Sequence, residues 1–135
     1  MIDISTQLVG FVRTKLDDAG HDVAVTEHQR KQGVGLPHVL ILPETTGDSV
    51  ETLAGDFGHD VSEIEIVSFA ATGADAFTYA EVIRDSLQGY RGAIGTATVL
   101  SCTSTDPFEK GCDKPIAGGN TLIFWVARSY RLGHN

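Results

Sequence analysis

The chain has 135 residues, 41% of them hydrophobic and 21% charged, with a formal net charge of -8 from 18 acidic and 10 basic side chains. That size and apolar share fit one ordinary soluble domain, residues 1–135, whose core needs neither metal nor disulfide to fold. The charge argues against a phosphate-backbone binder, which needs clustered cations to release counterions.

Residues 4 to 19 predict an amphipathic helix: Ile4, Leu8, Phe11, Val12, Leu16 and Ala19 recur at three and four, Asp3 is placed to cap the start, and Gly20 to end it. "HDVAVTEHQ" then alternates Val23, Val25 and Glu27 against Asp22, Ala24 and Thr26, as a short strand does. After the glycine-broken "RKQGVGLP", the apolar run "HVLILPE" predicts a buried strand ending at Pro43. The polar segment 43–58, with glycines at 47, 55 and 58, predicts a hairpin arm or a mobile loop.

A long strand follows from about His59 to Ala70. Within it Glu63, Glu65, Val67 and Phe69 share one face, and Ile64, Ile66, Ser68 and Ala70 the other. The next segment, "ATGADAFTYAEVIRDSLQGYRG", predicts a second helix: Thr72 and Asp75 form a capping box, Ala76, Ala80, Ile83 and Leu87 an apolar stripe, and Gly89 a stop. Two more strands are expected at about 96–104 and 120–132. Their connection, 104–119, is long for a hairpin and rich in turn residues, which marks a second mobile or functional loop. The expected class is therefore α+β: a mostly antiparallel sheet of about five strands, in the order α-β-β-β-α-β-β, with both helices on one face. The other face carries Val67, Phe69, Ile123 and Trp125, an apolar surface that needs a cover.

Few residues propose chemistry. Glu63 and Glu65, adjacent on one strand face, do not straddle a substrate as glycosidase carboxylates from different elements do. "DFGHD" at 56–60 matches the kinase magnesium motif in spelling alone, and the chain has neither a GxSxG elbow nor a phosphate-cradling loop with its lysine. His59, Asp60 and Glu63 form one local set of metal-ligand types without a defined second set. Cys102 and Cys112 match no usual zinc spacing and read as free thiols; Cys112, between Lys110 and Lys114, is the more reactive candidate. Nothing reads as a signal peptide or an apolar span of membrane length. Catalytic, cofactor and metal sites are accordingly all expected to be absent.

One pattern is more specific. The order "GLPHVLILPE", "LAGDFGHDVSEIEIVSFA", "DAFTYAEVIRDSLQGYRG", then two strands ending in an aromatic and arginine-bearing tail, resembles the tail-terminator (tail-completion) proteins of long-tailed bacteriophages and related gene-transfer particles. The matching positions are Gly35, Leu36 and Pro37 before the buried strand, Ala80 and Glu81 in the helix, and Leu87 and Gly89 at its end. The resemblance spans the chain from the first helix to about Leu132.

It implies a structural virion protein at the head-tail junction, made in the host cytoplasm and without catalytic residues. The implied protein forms a ring with itself, a hexamer, that caps the tail-tube protein, stops elongation and meets the head-tail connector or stopper. DNA passes through such a ring without specific binding. Nine acids (Glu44, Asp48, Glu51, Asp56, Asp60, Glu63, Glu65, Asp75, Glu81) and no Lys or Arg fall between residues 44 and 81, which suits a channel wall that repels phosphate and equally a solvated face. On this reading Glu63, Glu65, Val67, Phe69 and Trp125 are the residues for a lumen or subunit boundary. The alternatives are a head-completion (stopper) protein of the neck and, from another class, a small metal-dependent hydrolase using His59, Asp60 and Glu63.

Overall fold

A computed structural model of the chain describes residues 4–27, 36–47, 51–52, 55–56, 60–104, 108–113 and 122–134, without the side chains of 44–47, 51–52, 55–56, 60 and 113. The first helix, α1 (Ile4–Asp18), buries Ile4, Leu8, Val12 and Leu16, one residue per turn on a single stripe. It stops where Gly20 takes φ +85° and the His21 amide donates to the Leu16 carbonyl at 2.9 Å. A left-handed residue at this point costs glycine little and any other residue more. The second helix, α2 (Gly73–Leu87), starts as its capping box predicts, with the Thr72 hydroxyl accepting from the Asp75 amide at 3.1 Å. Ala76, Ala80, Ile83 and Leu87 are its buried stripe. The predicted cap at Asp3 lies outside the described residues.

The strands are β1 (Ala24–Glu27), β2 (His38–Gly47), β3 (Glu51–Thr52), β4 (Gly55–Asp56), β5 (Asp60–Ala70), β6 (Gly92–Ile94), β7 (Ala97–Ser104), β8 (Glu109–Asp113) and β9 (Ile123–His134). The main sheet runs β1-β2-β5-β9-β7-β6, with β8 also on β9; β3 and β4 pair only with each other.

The α+β class holds, but the sheet differs from the expected five antiparallel strands. It has seven strands and is mixed, because β1 pairs β2 in parallel. Alternation such as Val23/Val25 is the same in either direction, so it carries no information on strand sense. The strand predicted to end at Pro43 continues to Gly47, with its register against β5 shifting between Pro43 and Thr45. A bulge of this kind accommodates a residue that has no amide to give the ladder.

Two more strands, β3 and β4, pair antiparallel in the segment 43–58 expected to be a hairpin arm or a mobile loop, and β8 falls within 104–119, expected to be a loop. The reason for β8 lies in β9. Twelve residues long, β9 pairs β5 along one side, while β7 reaches only its residues 130–134 on the other. The first half of that second edge, residues 123–127, is satisfied by β8.

Both helices pack on one sheet face. There Val25, Val39, Ile41, Ile64, Ile66, Val99, Tyr130 and Leu132 meet Leu8, Val12, Leu16, Ile83 and Leu87 in one buried cluster. Full burial of each large aliphatic side chain contributes about 1.5–3 kcal/mol. Ala70, Ala76, Ala80 and Val126 form a smaller cluster beside it, under the start of α2.

Candidate functional site

The face away from the helices is built by the odd-numbered residues of β5 and β9, by His38, Leu40 and Leu42 of β2 and, past the register shift in β2, by Thr45. Register sets it out in rows. At one end His38, Phe69, Trp125 and Gly111 lie side by side on β2, β5, β9 and β8. The next row of this face is Leu40, Val67, Ala127 and Glu109. At the other end Thr45, Glu63, Arg131 and Thr103 form a row across β2, β5, β9 and β7.

The face is thus graded along the strands, apolar at one end and polar at the other. Val67 is 7% exposed and Leu40 8%, Phe69 and Trp125 are half-buried, and so are Glu63 and Glu65. The five residues singled out from the sequence do share this face, in two groups. Val67, Phe69 and Trp125 belong to the apolar end; Glu63 belongs to the polar end, and Glu65, opposite Ser129, lies between them.

Gly111 has a specific reason to be glycine. A β-carbon there would lie 2.6 Å from Cε2 of the Trp125 indole, which rests across the β8 backbone. On the opposite, helix-side face β8, β9 and the start of α2 enclose an open hollow of about 480 Å³ lined by Gly73, Phe77, Lys110, Cys112, Phe124 and Val126 among others. Phe77 is 42% exposed and Leu122 41%; with Leu100 they are the exposed large hydrophobic side chains among the described residues. Lys110 is the one charged side chain in the lining. Cys112 is exposed at this edge, whereas Cys102 is buried and its thiol is pushed up to about 12 by desolvation.

Behind the hollow lies a polar group that sequence reasoning missed. Arg128 Nη2 donates to Glu81 Oε1 at 2.9 Å, joining β9 to α2. The Arg128 guanidinium also sits 5.0 Å from the centre of the Phe108 ring, which meets Phe77 edge-on at 5.6 Å. A signal for it exists, because Arg128 has the same parity along β9 as the core residues Val126, Tyr130 and Leu132. Beside it, burial pushes the Tyr130 phenol up. At the far end of the sheet Ser62 and His134, both fully buried, share a hydrogen bond of 2.7 Å.

His59 and the Asp60 side chain lie outside the described residues. Among the described ones no three His, Cys, Asp or Glu side chains gather as a metal site. No described helix is long and apolar enough to cross a membrane.

No family model matches the chain, and no curated protein does. Among solved structures the fold recurs in a chain of the "Virion of native gene transfer agent (GTA) particle", at 13% sequence identity and a TM-score of 0.59, over 95% of this chain and 92% of that one. At that identity the likeness is one of fold: two helices on a mixed sheet, matched from end to end in a chain of nearly the same length.

Proposed function

We propose that this chain is a structural component of a phage-like particle, and that it acts as a tail terminator: a ring, hexameric on the family resemblance, that caps the tail tube, stops its elongation and presents the opposite surface to the head connector. The observation that carries the reading is the near-complete, equal-length match of fold to a chain of a gene-transfer-agent virion. It agrees with the resemblance seen in the order of the sequence motifs. The sheet supports it physically. An apolar hollow open at the β8 edge and exposed Phe77 and Leu122 are features of a subunit that completes its surface by association.

In this role the protein needs no catalytic group. Glu63 and Glu65, on the outer face of the sheet, belong to the lumen side or the subunit boundary as a wall that DNA slides past, whereas Glu81, paired with Arg128 on the helix side, takes no part in it. Its partners are further copies of itself, the tail-tube protein and the head-tail connector.

The test is end-capping. Purified protein added to growing tail tubes should bind their tips and arrest elongation at a stoichiometry near six copies per tip, counted by native mass or particle imaging. Tubes that keep growing, with no protein on their ends, reject the terminator role; binding to the portal side instead assigns the chain to the stopper.

A further inference from the structure

We infer that the hollow beside the start of α2 is a docking site for a segment of another protein that carries a large apolar side chain and a carboxylate on one face. The site rests on the particle reading above only for the source of that segment.

The hollow follows from how far the helix layer reaches. The helix α1 packs on β1, β2 and β6, and α2 on β5, β9 and β7, whereas β8 joins the sheet through β9. Lys110 and Cys112, which share the helix-side face of β8, are therefore exposed, and a step remains between them and α2. Phe124 and Val126 form its floor and Phe77, 42% exposed, stands over it. At about 480 Å³ the hollow lies in the range of sites that seat a small ligand or a few side chains. An aromatic side chain left this exposed gains by a partner that takes it out of water.

Charge selects the partner. Lys110 is the one charged side chain in the lining, on a chain whose formal net charge is -8. Among the described residues Glu81 pairs with Arg128 and Asp85 with Arg84, and Lys110 has no carboxylate partner. An apolar side chain entering over Phe124 brings a carboxylate to Lys110 when the two are neighbours on one face, two apart on a strand or three to four apart on a helix. A second copy offers no such segment among the described residues. Its exposed large hydrophobic side chains besides Phe77 are Leu100 and Leu122, and neither has an Asp or Glu within four residues. A nucleic acid is disfavoured by the same net charge and by a single cation.

Cys112 is exposed beside Lys110 and reports occupancy, while buried Cys102 stays silent. The probes are two capped tripeptides, acetyl-Phe-Ala-Glu-amide and its Gln analogue. At millimolar concentration the Glu peptide should slow labelling of Cys112 by N-ethylmaleimide, and the Gln peptide should bind about two- to fivefold more weakly, the worth of one exposed ion pair. Lys110→Met should erase that preference and keep the binding. Phe77→Ser, with an unchanged circular dichroism spectrum, should lose both peptides; if it misfolds, Lys110→Met decides alone. A Phe77→Ser protein that binds as before, or a Lys110→Met protein that still prefers Glu, overturns the docking site. So does a wild-type Cys112 that neither peptide protects, or one that an oligothymidine protects instead.

In assemblies, Cys112 should become protected on tail tubes or on the connector. Protection by self-association alone gives the hollow to a second copy and overturns the assignment. Tubes capped and joined to the connector with Cys112 still labelling at the free rate leave the terminator role standing and remove the docking site. Peptide binding with the predicted Lys110 and Phe77 dependence, in a protein that never arrests tube growth, does the reverse.

Discussion

The two faces of the sheet use the same strands to opposite ends. On the helix side Ile41 and Ile64 are 0% exposed and Ile66 3%, and they meet the buried stripes of α1 and α2 in one cluster. On the outer side Phe69 and Trp125 stand at one end of the pair β5 and β9 and Glu63 and Arg131 at the other, so the apolar character gives way within a few residues. Full burial makes the part of the helix face under α1 and α2 a matter of folding, where each methylene counts. The outer face changes character along its strands, and only its polar end, with half-buried Glu63 and Glu65, is expected to tolerate substitution as far as stability goes.

Leu8→Ala should mark the helix side most clearly. Leu8 has no exposed surface, and its truncation should cost about 3–5 kcal/mol in urea unfolding; a loss below about 1 kcal/mol would show that the α1 stripe is not the core. A smaller effect is expected at the junction of the two faces. Gly111→Ala should force the Trp125 indole off the β8 backbone, costing about 1–3 kcal/mol and red-shifting the emission of the chain's one tryptophan. The smallest belongs to the polar end of the outer face. Glu63→Gln with Glu65→Gln should leave stability within about 0.5 kcal/mol of the parent while changing assembly or DNA passage, whereas the hydrolase reading predicts lost turnover with particles intact.

What can be read from the sequence follows from which forces are local. Caps and stripes are, so Thr72/Asp75 and the Ala76, Ala80, Ile83, Leu87 stripe locate α2 from the order of residues alone, and the parity of Ile64 and Ile66 places them under the helices. Pairing is not local. "EKGCD" has little strand character of its own and becomes β8 because half of one edge of β9 needs a partner. The parallel sense of β1 is invisible for a related reason, since alternation reports a face and never a direction. The outer-face residues are recognisable as a set, but their division into an apolar and a polar end depends on the rows that β2, β7 and β8 contribute. Arg128 is countable by parity, yet it sits in an aromatic run that reads as surface-capable. Glu81, its partner, stands out in the sequence only as a motif position.

The length and position of β9 have a consequence for how the chain comes off the ribosome. Because β9 pairs β5, β7 and β8 and follows all three in sequence, the ladder edges it satisfies wait until residues 123–134 emerge. Until then α1, β2, β5 and α2 can associate and β7 can pair β6, but β5 and β7 each lack the neighbour that β9 supplies, as does β8. Vectorial synthesis therefore holds the subunit in an unfinished, association-prone form until nearly all of the described chain is made, and postpones the β8 edge to the same moment.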